Sequence, residues 1–202
     1  MIADETGLER KRVLRALTVV RRAMARGGPP GTKEIVTKSA RIAERLPAGM
    51  GRTAGSRARA SPPVIGLYAA QGEGVWAEVV PDAEAGQFRQ AVRARRRPDG
   101  IERSELSRYA ALVYRGRFYR LGDRASGRFG ELEAFWAYVR HQLSGRGGIR
   151  RSRLGLYLAE YSWRYNRRRF TPAKQLRDLV GLLRREPSGW KERDFSDSRG
   201  MG

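Results

Sequence analysis

The chain has 202 residues, and its 42 Lys and Arg outnumber 21 Asp and Glu, which gives a formal net charge of +21 at neutral pH. It has no cysteine and one histidine, His141, so disulfides, a zinc ribbon and a cysteine nucleophile are excluded. Such a charge surplus repels itself in a compact fold unless a polyanion neutralises it. Nucleic acid is therefore the leading partner, because its phosphates reward cationic contacts by releasing counterions.

The length fits one ordinary domain, with or without a small extra module. The sequence contains no run of about 18 apolar residues. Its N-terminus, with Asp4 and Glu5, lacks the basic and then apolar order of a signal peptide. We therefore expect no membrane segment and a cytoplasmic location.

The first 26 residues are predicted to be helical and to form a partial helix-turn-helix over residues 1–26. Residues 2–8, with Gly7 at the corner, are typical of its short helix and turn, and Glu9–Ala25 would be the recognition helix. Val13, Leu17, Val20 and Met24 fall on one side of this helix. The other side is basic and polar, and it contains Lys11, Arg15, Thr18, Arg22 and Arg26. We predict that this side lies on DNA; the alternative is the solvated face of an ordinary amphipathic helix.

A second unit is predicted for residues 34–185. It contains a basic loop at 47–63, rich in Gly, Arg and Ser, in which Arg52, Arg57 and Arg59 are predicted to contact DNA. The strands Val64–Ala70 and Val75–Pro81 are predicted to follow, joined by a Gly-containing hairpin turn.

The remaining elements are predicted from their caps and hydrophobic spacing. Asp82 is expected to cap a helix that ends near Arg95. A helix near Ser107–Val113 and a strand at Phe118–Leu121 are expected next. Helices are then predicted at about 131–144, 152–168 and 172–185, and a polar, disordered tail at 187–202.

Several prominent residues have structural interpretations that we favour. The aromatic residues of the last helices are expected to pack in the core, and they are Phe135, Trp136, Tyr161, Trp163 and Tyr165. Leu154, Leu158, Tyr161 and Tyr165 recur at three- and four-residue spacing, which predicts one buried stripe. The run 164–169 contains four Arg, and its role is left open between phosphate contact and solvation of a helix end.

Glu131–Arg140 reads ELEAFWAYVR and resembles a signature of bacterial insertion-sequence transposases, the ISXO-like DDE group. Leu156–Tyr161 and Trp163–Arg168 resemble the closing helix of that group. The resemblance implies a ribonuclease-H-like fold, an α/β arrangement in which helices flank a mixed sheet. It also implies phosphoryl transfer on DNA by two Mg²⁺ ions held by carboxylates.

The resemblance also implies positions for the metal ligands, and this chain is altered at them. Ala43 and Ser104 stand at the two Asp positions, and Gly130 stands at the Asn position. Glu133 matches an acidic position, and Arg140 stands at the Lys position. We therefore predict a transposase-family protein that binds double-stranded DNA and has lost its catalytic metal site, and a homodimer on DNA is one arrangement that we consider.

The alternative is an active Mg²⁺-dependent transposase or nuclease with a shifted site. Glu44, Glu105 and Glu133, or Glu131 in place of Glu133, would then supply the carboxylates. Under this alternative Glu105 and Glu133 are the metal ligands, and Arg140 is the catalytic cation. A third hypothesis is a non-functional remnant or a protein that acts only through protein interactions.

Overall fold

The computed structural model describes residue 5 and residues 7–28, 61–70, 74–94, 105–121, 128–145 and 149–185. Within these ranges the chain forms five α-helices: α1 (Arg10–Arg26), α2 (Asp82–Arg93), α3 (Phe129–Ser144), α4 (Arg151–Asn166) and α5 (Pro172–Arg184). It also forms four strands: β1 (Val64–Ala70), β2 (Gly74–Val79), β3 (Ala111–Tyr114) and β4 (Arg117–Arg120). A short 3-10 helix, Glu105–Arg108, precedes β3.

The four strands form one sheet in the order β2-β1-β3-β4. Each described neighbour pair is antiparallel: Ile65 is paired with Val79 and with Val113, and Leu112 with Tyr119. The prediction of a chain that combines helices with a sheet is confirmed. All pairings among the described strands are antiparallel. The mixed sheet that was predicted would need a parallel pair as well.

The sheet separates two hydrophobic cores because successive side chains of a strand point to opposite faces. On one face, Leu67 and Val113 pack with α3 and α4 through residues such as Phe135 and Leu158. On the other face, Phe88 of α2 packs with a second set of buried residues, which includes Val64, Leu106, Tyr109 and Leu112. Helices therefore cover both faces of the sheet.

The predicted strand pair and the last three helices agree closely with the structure. The expected core aromatics Phe135, Trp136, Tyr161, Trp163 and Tyr165 are all buried, which confirms their structural interpretation. The predicted stripe on α4 is buried along its length, from Leu154 to Tyr165. None of the helices in the described part of the chain combines the length and apolar character that a bilayer span requires.

Two local predictions are wrong. The predicted helix near Ser107–Val113 is the end of the 3-10 helix followed by β3, whose four residues are buried on both faces. A short apolar run that is buried on both sides has no alternation to distinguish it from a helix segment. Asp82 is the first residue of α2 rather than its cap, which is Pro81; the Asp82 carboxylate instead pairs with Arg151.

Helix α1 packs against α4 and α5. A buried ion pair holds it there: Arg21 Nε donates to Glu160 Oε2 at 2.6 Å, and the Arg21 guanidinium lies 4.0 Å from the centre of the Tyr157 ring. Glu160 also accepts from Arg164 Nε at 2.9 Å, so both carboxylate oxygens are engaged. An unpaired charge at this depth would cost about 3–5 kcal/mol, so the pair fixes the position of α1 along α4.

Helix α4 also covers the edge strand of the sheet. Asn166 Oδ1 accepts from the Val75 N–H at 2.9 Å, and Asn166 Nδ2 donates to the Val75 carbonyl at 3.0 Å. One turn earlier, Ser162 Oγ accepts from the Ala77 N–H at 3.1 Å. These bonds satisfy main-chain groups that an edge strand otherwise leaves open to pairing with another chain.

We expect Asn166→Ala to lower the free energy of unfolding by about 2 kcal/mol, because it leaves the N–H and the carbonyl of Val75 without side-chain partners. Chemical denaturation followed by circular dichroism measures the change. Ser152→Ala, in the exposed first turn of the same helix, serves as the control and is expected to change stability by less than about 0.5 kcal/mol. Equal stabilities for Asn166→Ala and Ser152→Ala would show that the side-chain bonds to β2 contribute nothing.

Candidate nucleic-acid interface

An open cleft of about 690 Å³ lies where the end of α1, the edge strand β2, the start of α3 and the end of α4 meet. Four arginines line it, Arg128, Arg167, Arg168 and Arg169, together with one carboxylate, Glu131. The cleft is therefore strongly positive, and it can take an anion. Its glycines, Gly27, Gly28 and Gly74, leave main chain without side-chain cover.

Local structure brings Arg167, Arg168 and Arg169, which we call the arginine run, to the cleft. Helix α4 ends at Asn166, and the chain then turns tightly, with the Phe170 N–H donating to the Arg167 carbonyl at 2.9 Å. Thr171 caps α5 by accepting from the Lys174 N–H, and Pro172 occupies the first turn. The Thr-Pro pair thus stops one helix and starts the next, because proline fits a first helical turn and no later one.

Two arginines of the run are held in place by neighbours. The Arg167 guanidinium lies 4.6 Å from the centre of the Trp163 ring, and its Nε donates to Asp178 at 3.3 Å. Arg168 stacks on Tyr165 at 3.8 Å and donates to the carbonyl of the same residue. Arg169 is exposed and forms no ion pair with the described residues. Arg167 and Arg168 are therefore ordered cations, and little of their side-chain entropy remains to be lost when an anion binds.

Arg128, which also lines the cleft, directly precedes α3. Both Arg128 Nε and an Arg128 terminal nitrogen donate to Glu131 Oε2, at 3.1 and 2.8 Å. Arg128 and Gly130 occupy the positions where the family resemblance places the third ligand motif. The start of α3 therefore holds a cation paired with a carboxylate at the edge of the cleft.

Of the predicted catalytic residues whose side chains the structure describes, Glu133 and Arg140 do not line the cleft, whereas the alternative ligand Glu131 does. Glu133 is half exposed on α3 and accepts from Arg120 of β4 at 2.6 Å. Arg140 is exposed seven residues later, on nearly the same side of the helix. Glu105 begins the 3-10 helix, and its side chain lies outside the described residues, as does Glu44. No group of three or more Asp, Glu or His side chains converges among the described residues.

The predicted DNA-binding residues of α1 are placed on a helix, as expected. Gly7 has φ +63°, which fits a turn, and α1 begins at Arg10. Lys11, Arg15 and Arg26 are exposed, and Arg22 is half buried. Most of the first helix of the predicted motif lies outside the described residues. The same holds for all of the loop residues Arg52, Arg57 and Arg59, for Ala43 and Ser104, and for the tail 187–202.

A buried polar cluster on the α2 side of the sheet was not predicted. The Tyr109 hydroxyl donates to Glu78 Oε1 at 2.5 Å, and Arg108 lies 3.0 Å from the same carboxylate oxygen. Gly66 lies beneath the Tyr109 ring, where a Cβ would come within 2.2 Å of a ring carbon. The sequence signal was the acidic Glu78 within an otherwise apolar strand.

Burial shifts the proton equilibria of this cluster. Loss of solvation raises the pKa of Glu78. Burial, and then the neighbouring Glu78 carboxylate, raises the pKa of the Tyr109 phenol far above its usual range. The phenol therefore stays protonated at every pH below about 10, and it continues to donate to Glu78.

We expect Tyr109→Phe to lower the free energy of unfolding at neutral pH by about 1.5–3 kcal/mol, because Glu78 loses a donor. In the unfolded chain Tyr109 loses its proton near pH 10, whereas the folded chain keeps it, so this residue's stabilisation declines as the pH rises above about 10. Denaturation curves should therefore show a smaller fall in the free energy of unfolding between about pH 9 and pH 11 for the variant than for the parent. Tyr119→Phe, at a half-buried tyrosine on the same face, is the control. If the stability of Tyr109→Phe depends on pH as steeply as that of the parent, the assignment of this pH dependence to Tyr109 is contradicted.

Comparison with protein-family models, with curated proteins and with solved structures finds no match.

Proposed function

We propose that this protein is a DNA-binding member of the insertion-sequence transposase family, with a ribonuclease-H-like core, that has lost its metal-dependent strand cutting. The proposal combines the family resemblance of α3 and α4 with the chemistry of the cleft. The observation that carries it is the meeting of Arg128 with the run Arg167–Arg169 around one cleft.

Arginines suit this role because the planar guanidinium donates two parallel hydrogen bonds to a phosphate and stays charged at every accessible pH. In the cleft, four such groups surround one carboxylate, and that carboxylate is already engaged by Arg128. An anionic backbone would therefore meet donors rather than acceptors. Contacts of this kind hold DNA in position and read little of its sequence.

The basic surface extends from the cleft onto α1. Gly27 and Gly28, which line the cleft, directly follow Arg26, the last residue of α1. Lys11 and Arg15 lie on the same helix, about three to four turns further from the cleft. A duplex that lies along α1 would therefore reach the cleft at one end of its path.

The loss of cutting is supported by what the acidic side chains contact. Glu133, the one acid that matches a family position directly, pairs with Arg120. A carboxylate that already carries a guanidinium offers little to a Mg²⁺ ion, which needs several oxygen ligands in octahedral geometry. We therefore propose that DNA binding remains while the two-metal chemistry does not.

We expect the affinity for a duplex to fall steeply with salt, by about 10³–10⁵-fold between 50 and 200 mM if six to ten phosphates are contacted. Fluorescence anisotropy at several salt concentrations measures this slope. Lys11→Ala with Arg15→Ala should reduce the slope by about two phosphate contacts. Lys11→Arg with Arg15→Lys keeps both charges and should leave the slope unchanged, whereas a flat dependence in the parent protein would contradict electrostatic binding.

We expect no strand cleavage when the protein is incubated with a labelled duplex and Mg²⁺ or Mn²⁺, because no three acidic side chains converge in the part of the chain that the structure describes, as a two-metal site requires. Denaturing gel electrophoresis detects a nick in either strand. Cleavage that is abolished by Glu105→Ala or by Glu133→Ala would show instead that a shifted acidic site is active. Cleavage that survives both substitutions points to a contaminating nuclease.

A further inference from the structure

We propose that the arginine-lined cleft is a single-strand site, which takes one unpaired nucleotide of DNA with its phosphate on the arginines and its base on Phe170. The inference rests on the proposed function and adds the form of DNA that the cleft selects. It would place an unpaired DNA end at the cleft and leave duplex contacts to α1.

The size of the cleft favours a nucleotide over a duplex. Its volume of about 690 Å³ lies within the range of roughly 300–1,000 Å³ that small-ligand sites occupy. A duplex is wider than its major groove of about 12 Å, so it can lie across the mouth of a cleft of this size but cannot enter it. A single nucleotide can, once it is no longer stacked in a helix.

Two residues that line the cleft carry hydrogen-bond donors that lack a partner among the described residues. Arg169 is exposed and makes no ion pair within the described part of the chain. Trp76 also lines the cleft; its side chain is 4% exposed, and its indole N–H has no acceptor among the described residues. A buried donor without a partner is costly, so a nucleotide oxygen that reached this N–H from the cleft would satisfy it.

An exposed aromatic ring lies next to these donors. Phe170 lines the cleft, is 38% exposed and directly follows Arg169. The Lys174 ammonium lies 4.3 Å from the centre of its ring and adds a further cation. The neighbouring rings of Trp163 and Tyr165 are buried beneath Arg167 and Arg168, so Phe170 is the ring at which a base can stack.

The test compares two DNA molecules that have the same number of phosphates. One is a blunt duplex, and the other is a slightly shorter duplex that carries a few unpaired thymidines at one 5′ end. We expect the parent protein to bind the second about tenfold more tightly in anisotropy titrations, because stacking on an aromatic side chain contributes to each unpaired base. Phe170→Ala, and Arg168→Ala with Arg169→Ala, should each reduce that preference to about twofold or less.

Matched variants separate the cleft from general charge. Arg150→Ala with Arg153→Ala removes two exposed cations at the other end of α4, about 20 Å away along the helix, and should leave the preference intact. Trp76→Phe keeps the ring and removes the N–H, and it should weaken the preference by about threefold to tenfold. Thermal melts of each variant establish that it is folded.

The outcomes distinguish this inference from the proposed function. Equal affinity of the parent protein for both DNA molecules, with steep salt dependence, would overturn the single-strand site and leave duplex binding in place. A preference that persists in all cleft variants would place the site elsewhere and overturn the inference. Failure of the parent protein to bind either molecule at low salt would overturn the proposed function itself.

Discussion

The bonds from α4 to the edge strand β2 determine the rest of this structure. Asn166 occupies both main-chain groups of Val75, and Ser162 occupies the N–H of Ala77. On other sides of the same helix, Glu160 holds Arg21 of α1, and Leu158 packs in the core between sheet and helices. A single helix therefore sets the edge of the sheet, the position of α1 and the depth of the core.

The cleft depends on the same bonds. Asn166 is the last residue of α4, so fixing it at the sheet edge delivers Arg167, Arg168 and Arg169 to that edge as well. Gly74 begins β2 with φ +100°, and a Cβ there would come within 2.2 Å of Asn166 Oδ1. Glycine is thus required twice at this position, for its backbone angle and for the space that the amide fills.

Much of the secondary structure could be predicted from the sequence, because it is encoded locally. The Thr171-Pro172 stop, the spacing of Leu154 and Leu158 and the glycine turn after β1 all act within a few residues of the element they define. The strand β3 was missed because its burial on both faces removes the alternation that marks a strand. The signal that could have identified the hairpin was the sequence pair Arg115-Gly116. In the structure these two residues form the turn, with φ 50° and 76°.

The cleft could not be predicted from local patterns. It joins Gly27, Gly74, Arg128 and Arg167, which are separated by dozens of residues and meet through the order of the strands and the packing of α1. The sequence did identify the run 164–169 as either a phosphate contact or a solvated helix end. The structure shows that two of its arginines lie on aromatic rings, which orders them at the cleft instead of leaving them dispersed in solvent.

Four acids of the described region share one arrangement, and it bears on the proposed loss of metal chemistry. Glu78, Glu131, Glu133 and Glu160 each lie within ion-pair distance of an arginine. In a chain with twice as many basic as acidic residues, a carboxylate that meets a guanidinium gives up the lone pairs that a divalent cation would use. Each such pair also orients its arginine, so these acids hold cations in place for the anionic partner that we propose. At the start of α3, where Arg128 pairs with Glu131, the helix dipole and the arginine have the same sign, which is the electrostatic basis for the phosphate contact that we propose there.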